Sequence, residues 1–192
     1  MICAGRACLR RRHLGASFAM QHTVSDPEVS NVTSANGFRE NGKLHSPFHL
    51  LSAMRNVTTI LQVRTKRRGL LEVTDEVRNW LDNQPVNTGL LTLFCRHTSA
   101  SLLIQENAAR EVRADLEAFF DVIAPEDPSR YSHNDEGPDD MPSHLRAALT
   151  SVQLSIPVVD GQLALGTWQG IYLFEHRRRP HDRQIALHLL GD

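Results

Sequence analysis

Three histidines stand where side chains of different elements can meet: His97, His133 and His144. His97 ends an apolar run in Arg96-His97-Thr98-Ser99-Ala100. His133 lies in the polar stretch Tyr131-Ser132-His133-Asn134-Asp135. His144 falls in the first turn of a short predicted helix. A strand end, a loop and a helix start can converge, and three imidazoles with open positions make a catalytic metal arrangement. Neutral imidazole suits Zn, Ni or Fe better than Mg. The three do not form a compact motif such as HExxH, so on spacing alone surface or hydrogen-bonded histidines remain the other reading.

Further polar groups accompany them. Glu106 follows an apolar strand and precedes a helix, where its carboxylate can act as a base, orient a histidine, or complement the helix N-terminus. Asp135, Glu136, Asp139 and Asp140 read as a solvated acidic loop, with Gly137-Pro138 as a turn. Trp168, between Gly166 and Gly170, is either a core plug or a stacking platform for a planar ligand. Arg177, Arg178, Arg179 and Arg183 are candidates for binding an anion, with Arg183 the best placed because it adjoins a strand. GxxxxGKS/T and GxGxxG are both absent, so a nucleotide-binding loop is not supported.

The elements that must carry these residues begin at about position 56. Residues 57–63 alternate as a strand, and 69–74 read as its partner across the turn at Arg67-Arg68-Gly69. Thr74 is the expected N-cap of a helix over 75–83. Leu90–Cys95 reads as a strand covered on both faces, and Ser101–Ile104 as the next strand. Val112, Leu116, Phe119, Phe120 and Ile123 form one apolar stripe on a helix over 108–123, capped by Asn107. A short helix follows at 142–149. Residues 152–158 alternate, Asp160-Gly161 turns a hairpin into Leu163–Leu165, and residues 171–176 and 184–190 look like a further antiparallel pair. Two strands, helix, two strands, one or two helices and then several strands make an α+β chain.

Composition narrows the function classes. Lys plus Arg number 21 against 22 acids, a formal net charge of -1, which argues against a nucleic-acid binder. No apolar run is long enough to span a membrane. Cys3, Cys8 and Cys95 form no CxxC pair, and their odd number fits a reducing, cytoplasmic setting. Residues 1–55 differ from the rest: Arg-rich and acid-free at first, then rich in Ser, Asn and Gly. They are expected to be a disordered extension or the product of an upstream start, with an organellar transit peptide as the alternative. Residues 56–192 form the expected domain.

Four segments resemble the YjbQ family (UPF0047, also called the secondary thiamine-phosphate synthase family). They are GLLTLFCRHTSASLLIQENA, VRADLEAFFDVIAP, YSHNDEGPDDMPSHLRAALT and IPVVDGQLALGTWQGIYLFEHR. The resemblance implies an α+β fold with a mixed β-barrel and two or three helices, and a homotrimer with sites near subunit boundaries. It implies His97, His133 and His144 as metal ligands, with Glu106 nearby. Glu106 and Arg183 are the expected catalytic residues, and Trp168, Gln169, Thr98 and Ser99 the expected substrate contacts. The implied reaction joins an aminopyrimidine methyl diphosphate to a thiazole phosphate. Glu175-His176-Arg177 departs from the E-x-D-G-P-R form associated with some members. A metal-dependent hydrolase of a small phosphorylated or amide substrate, and a non-catalytic metal or small-ligand binding protein, are the competing readings.

Overall fold

The structure, a computed structural model, describes residues 54–192; the expectations for residues 1–53 fall outside it. Its strands are β1 (Arg55–Arg64), β2 (Gly69–Glu72), β3 (Gly89–Cys95), β4 (Ala100–Glu106), β5 (Gln153–Val159), β6 (Gln162–Leu163), β7 (Gln169–Glu175) and β8 (Asp182–Gly191). Its α-helices are α1 (Thr74–Leu81), α2 (Arg110–Ile123) and α3 (Asp140–Leu149), with one 3-10 turn at Pro128–Arg130. The α+β class expected from the sequence holds.

The strands form two sheets. One is a curled five-stranded sheet in the order β1-β8-β3-β5-β6, and the other has the order β2-β7-β4. Every strand pairing among the described residues is antiparallel, where a mixed barrel was expected. Two further expectations are corrected by this topology. β1 pairs with β8 and not with β2, and β7 pairs with β2 and β4 and not with β8. The reason lies in residues 65–68 and 176–181, which cross from one sheet to the other side by side. Thr65 N–H donates to His181 O at 2.9 Å, and His181 N–H returns a bond to Thr65 Oγ1 at 2.9 Å. Gly69 closes the first crossing with φ +128°, a conformation that disfavours a side chain, and any Cβ there would also strike Glu117.

The core lies between the sheets and α1. Leu91, Leu93, Ile156, Ile185, Leu187 and Leu189 face inward from the five-stranded sheet, Leu102, Ile171 and Leu173 from the smaller one, and Val77 and Leu81 from α1. Each such side chain contributes about 1.5–3 kcal/mol by leaving water. β3 is covered on one face only, because Leu90 and Phe94 are each 44% exposed on the outside of the sheet. The helix starts also differ from expectation. Val73 precedes α1, leaving Thr74 inside its first turn, and Ala109, not Asn107, precedes α2. Thr74 Oγ1 instead accepts from Ile171 N–H at 2.8 Å, tying α1 to β7. Asp160 (φ 51°) and Gly161 (φ 73°) make the predicted hairpin turn between β5 and β6. No helix among the described residues is long and apolar enough to cross a membrane.

Candidate metal centre

Asp140 and His144 lie four residues apart at the start of α3, so they share one face of the helix. The preceding turn needs Gly137, whose φ is +107°. Asp140 N–H donates to Gly137 O at 3.2 Å, and Ser143 Oγ donates to Asp140 O at 2.6 Å. His133 comes from the loop before the turn. That loop is held by Asn134 Nδ2, which donates to Tyr131 O at 2.6 Å, and by Tyr131 OH, which donates to Pro125 O at 2.9 Å.

These three side chains converge, each offering one ligand atom within 4.8 Å of the others. His133 Nε2 is 2.6 Å from Asp140 Oδ2, and His144 Nε2 is 3.7 Å from the same oxygen. Asp140 is only 3% exposed. Its Oδ1 accepts from Arg177, and its Oδ2 faces the two imidazole nitrogens. His144 Nδ1 lies 3.2 Å from Thr98 O. A carbonyl only accepts, so Nδ1 carries the hydrogen, and in the neutral ring Nε2 turns its lone pair toward Asp140. A lone pair facing a carboxylate oxygen calls for a cation or a proton between them. Two imidazoles and one carboxylate form a donor set suited to Zn or Fe(II), with positions left for other ligands.

The other candidate residues fall into different surroundings. His97 is outside this cluster: its Nε2 accepts from Gln184 N–H at 2.7 Å. Burial, and then the nearby Arg183 guanidinium, lower its pKa. Thr98 supports His144 through its carbonyl, and Ser99 Oγ accepts from Arg183 Nη2 at 3.1 Å. Arg183 is buried and clamps the fully buried Glu175 with two hydrogen bonds, the Nε one 2.7 Å long. Burial alone would raise the Glu175 pKa, but Arg183, the Arg177 N–H and Thr65 outweigh it and lower it. The guanidinium expected to bind an anion is thus engaged inside the protein.

Glu106, Gln169 and Trp168 sit at the far end of the smaller sheet. Ala100 pairs with Glu175 at the histidine end and Glu106 with Gln169 at the other. At about 3.3 Å per residue, the two ends are roughly 20 Å apart. Trp168 is 64% exposed on a turn fixed by Gln169, whose Oε1 accepts from Gly166 N–H at 2.8 Å. It is therefore not a core plug.

Beside the histidine cluster lies a cleft of ≈ 340 Å³, lined by Arg177, Arg178, Arg179 and His181 opposite Glu136, Gly137, Pro138 and Asp139. Asp140 is the member of the cluster that sequence reasoning missed. It belongs to an acidic run that reads as solvated, and the available signal was its four-residue spacing from His144 on one helix face.

Comparison with known proteins finds relatives over most of the described residues. Residues 59–192 match the family described as UPF0047 protein YjbQ-like. A UPF0047 protein of Synechocystis is 47% identical over 141 residues, covering 73% of this chain and 96% of the relative. The UPF0047 protein YjbQ of Escherichia coli O157:H7 is 46% identical over 133 residues, covering 69% and 96%. Among solved structures, a protein of unknown function from Sulfolobus solfataricus superposes with a TM-score of 0.67 at 26% identity, covering 72% of this chain and 99% of the other. A hypothetical protein from Aeropyrum pernix K1 does so with a TM-score of 0.64 at 33% identity, covering 71% and 99%.

Proposed function

We propose, from the premise that the chain belongs to the YjbQ-like UPF0047 family, that it is a metal-dependent enzyme acting on a small phosphorylated substrate. Its specific reaction in this reading is the formation of thiamine phosphate. The supporting observation is the buried Asp140 Oδ2 facing two imidazoles beside an arginine-lined cleft. His133, Asp140 and His144 would hold the metal, and the Thr98 carbonyl would fix the His144 ring. A bound divalent ion supplies charge to stabilise a departing diphosphate.

Arg179 and His181 add donors for phosphate oxygens across the cleft, while the Arg178 guanidinium is paired with Glu126. In the reaction, the bond between the pyrimidine methylene and the diphosphate oxygen breaks, and its electron pair leaves with pyrophosphate. The thiazole nitrogen lone pair forms the new bond to the methylene carbon. Glu106 and Trp168 can join this chemistry only from a neighbouring subunit, because one chain holds them roughly 20 Å from the histidines. A homotrimer with sites near subunit boundaries accommodates that requirement. A cytoplasmic setting suits the free, buried Cys95.

A second reading, a metal-dependent hydrolase, is favoured by the donor set itself. Imidazole-plus-carboxylate sites are typical of hydrolytic zinc enzymes, whereas Mg-pyrophosphate chemistry usually relies on oxygen ligands. The deciding experiment supplies both precursors to protein purified without added metal, and measures metal content, thiamine phosphate and pyrophosphate together. The expected result is bound metal and both products in equal amounts, with metal and turnover lost in His144→Ala. Release of product from one substrate alone would move the assignment to the hydrolase. A monomer mass by light scattering at micromolar concentration would refute the trimer.

A further inference from the structure

We infer that Arg177 is a positioning residue of the metal site, holding one oxygen of Asp140 so that only the other is presented to the ion. The inference rests on the metal reading above and adds a residue to it.

Arg177 follows β7 at the crossing between the sheets, and its place there is fixed from behind. Its backbone N–H donates to Glu175 Oε1 at 2.9 Å, and Glu175 is itself locked by Arg183 and by Thr65 Oγ1 at 2.9 Å. From this anchor one guanidinium reaches across the whole turn before α3. Nη1 donates to Asp140 Oδ1, Nη2 donates to Glu136 O at 2.8 Å, and Nε lies 3.3 Å from Asp139 Oδ2. The next residue reinforces the turn, with Arg178 N–H donating to Asp139 Oδ2 at 2.8 Å.

A purely structural ion pair would be arranged differently. The guanidinium fork matches a carboxylate with two parallel bonds, and a buried carboxylate gains most when both oxygens are paired. Arg183 and Glu175 pair in that way a few residues along the chain. Arg177 instead gives a single Asp140 oxygen a hydrogen bond and turns Nη2 to the Glu136 carbonyl, with Nε beside Asp139. The second oxygen is buried and turned to the two imidazoles, 2.6 Å from His133 Nε2 and 3.7 Å from His144 Nε2. Asp140 is thereby divided between the two tasks, and its carboxylate plane is fixed before any ion arrives. Partners of this kind, one shell out from a metal, typically change affinity by about 10–100-fold.

The test uses the full chain and titrates Co(II) and Zn(II) against a chromophoric chelator, with the visible spectrum of the Co(II) form as a second readout. His144→Ala, Arg177→Met, Arg177→Lys and Asp139→Asn are compared with the unaltered protein. The expected result is no measurable binding for His144→Ala and about 10–100-fold weaker binding for Arg177→Met. The Arg177→Met Co(II) spectrum should also change, because the freed Asp140 can then offer both oxygens. Arg177→Lys should recover part of the affinity, and Asp139→Asn, which loosens Arg177 without removing it, should fall between. Unaltered affinity and spectrum in Arg177→Met, with His144→Ala devoid of metal, overturn the inference. Should Arg177→Met not fold, the same result in both Arg177→Lys and Asp139→Asn overturns it. Unaltered affinity in His144→Ala would instead overturn the metal reading, and this inference with it.

Discussion

His176 is held neutral by its surroundings. Burial, then the Arg146, Arg183 and Arg68 charges, push its pKa down from 6.5 to about 3. Its Nε2 lies 2.9 Å from Ser101 Oγ, and its ring packs on Phe174 at 4.5 Å between centroids. The sign of the resulting pH effect follows directly. Below pH 6.5 the unfolded chain takes up a proton that the folded chain refuses until about pH 3. Stability therefore falls with pH across that window, by up to ~1.4 kcal/mol per pH unit. Glu175, whose folded pKa is lowered from 4.5, contributes stability that is lost only as pH drops below that value. Denaturation of wild type and His176→Gln between pH 6.5 and 5 isolates the histidine, and the variant should show the shallower slope. Parallel slopes would mean that His176 titrates normally. At this same scale the sequence shows residue types and not their environments. His133 and His144 do come together, but His97 and Arg183 turn out to be occupied by Gln184 and Glu175. Asp140 looked solvated because its burial depends on Arg177, a partner distant in the chain.

Periodicity identified nearly every element, because the apolar pattern of a strand or helix is local. It could not identify partners, because two antiparallel strands close in sequence pair only if the chain reverses within one sheet. Here the turn at residues 65–68 and the segment 176–181 change sheets, and the bonds that fix them join Thr65 to His181 and Glu175. Helix α2 illustrates a related limit. Its stripe of Val112, Leu116, Phe119, Phe120 and Ile123 is continuous, yet only Phe120 is fully buried, at 7% exposure against 56% for Phe119. Phe120 stacks edge-on against Phe174 of β7, with centroids 5.3 Å apart, whereas the apolar surface of Phe119 faces largely outward. Phe120→Ala should therefore cost about 3–5 kcal/mol through the cavity it leaves. Phe119→Ala should cost about 1 kcal/mol or less, given the usual range for exposed positions. Chemical denaturation of the two variants measures the difference, and equal losses would mean that the helix packs on another face.

At the scale of the whole chain, the described elements account for one another without residues 1–53. β1 is paired along its full length with β8, from Arg55 opposite Gly191 to Arg64 opposite Asp182. The family comparison points the same way. The Synechocystis relative is covered to 96% of its length by 141 residues of this chain, and the Sulfolobus structure to 99% of its length by 72% of this chain. Nearly the whole length of these relatives is thus covered by the part that matches. A chain trimmed to begin at Met54 should keep the thermal midpoint of the full chain within a few degrees, since about 1 kcal/mol moves the midpoint of a domain this size by roughly 2–8 °C. It should also keep the affinity for Co(II) and the mass in solution. The trimmed and full-length proteins are compared by thermal melting, metal titration and light scattering. A marked fall in midpoint would mean that the first residues pack on the domain. A change in mass alone would assign them to the contacts between subunits, and a loss of Co(II) binding alone would assign them to the histidine end of the molecule.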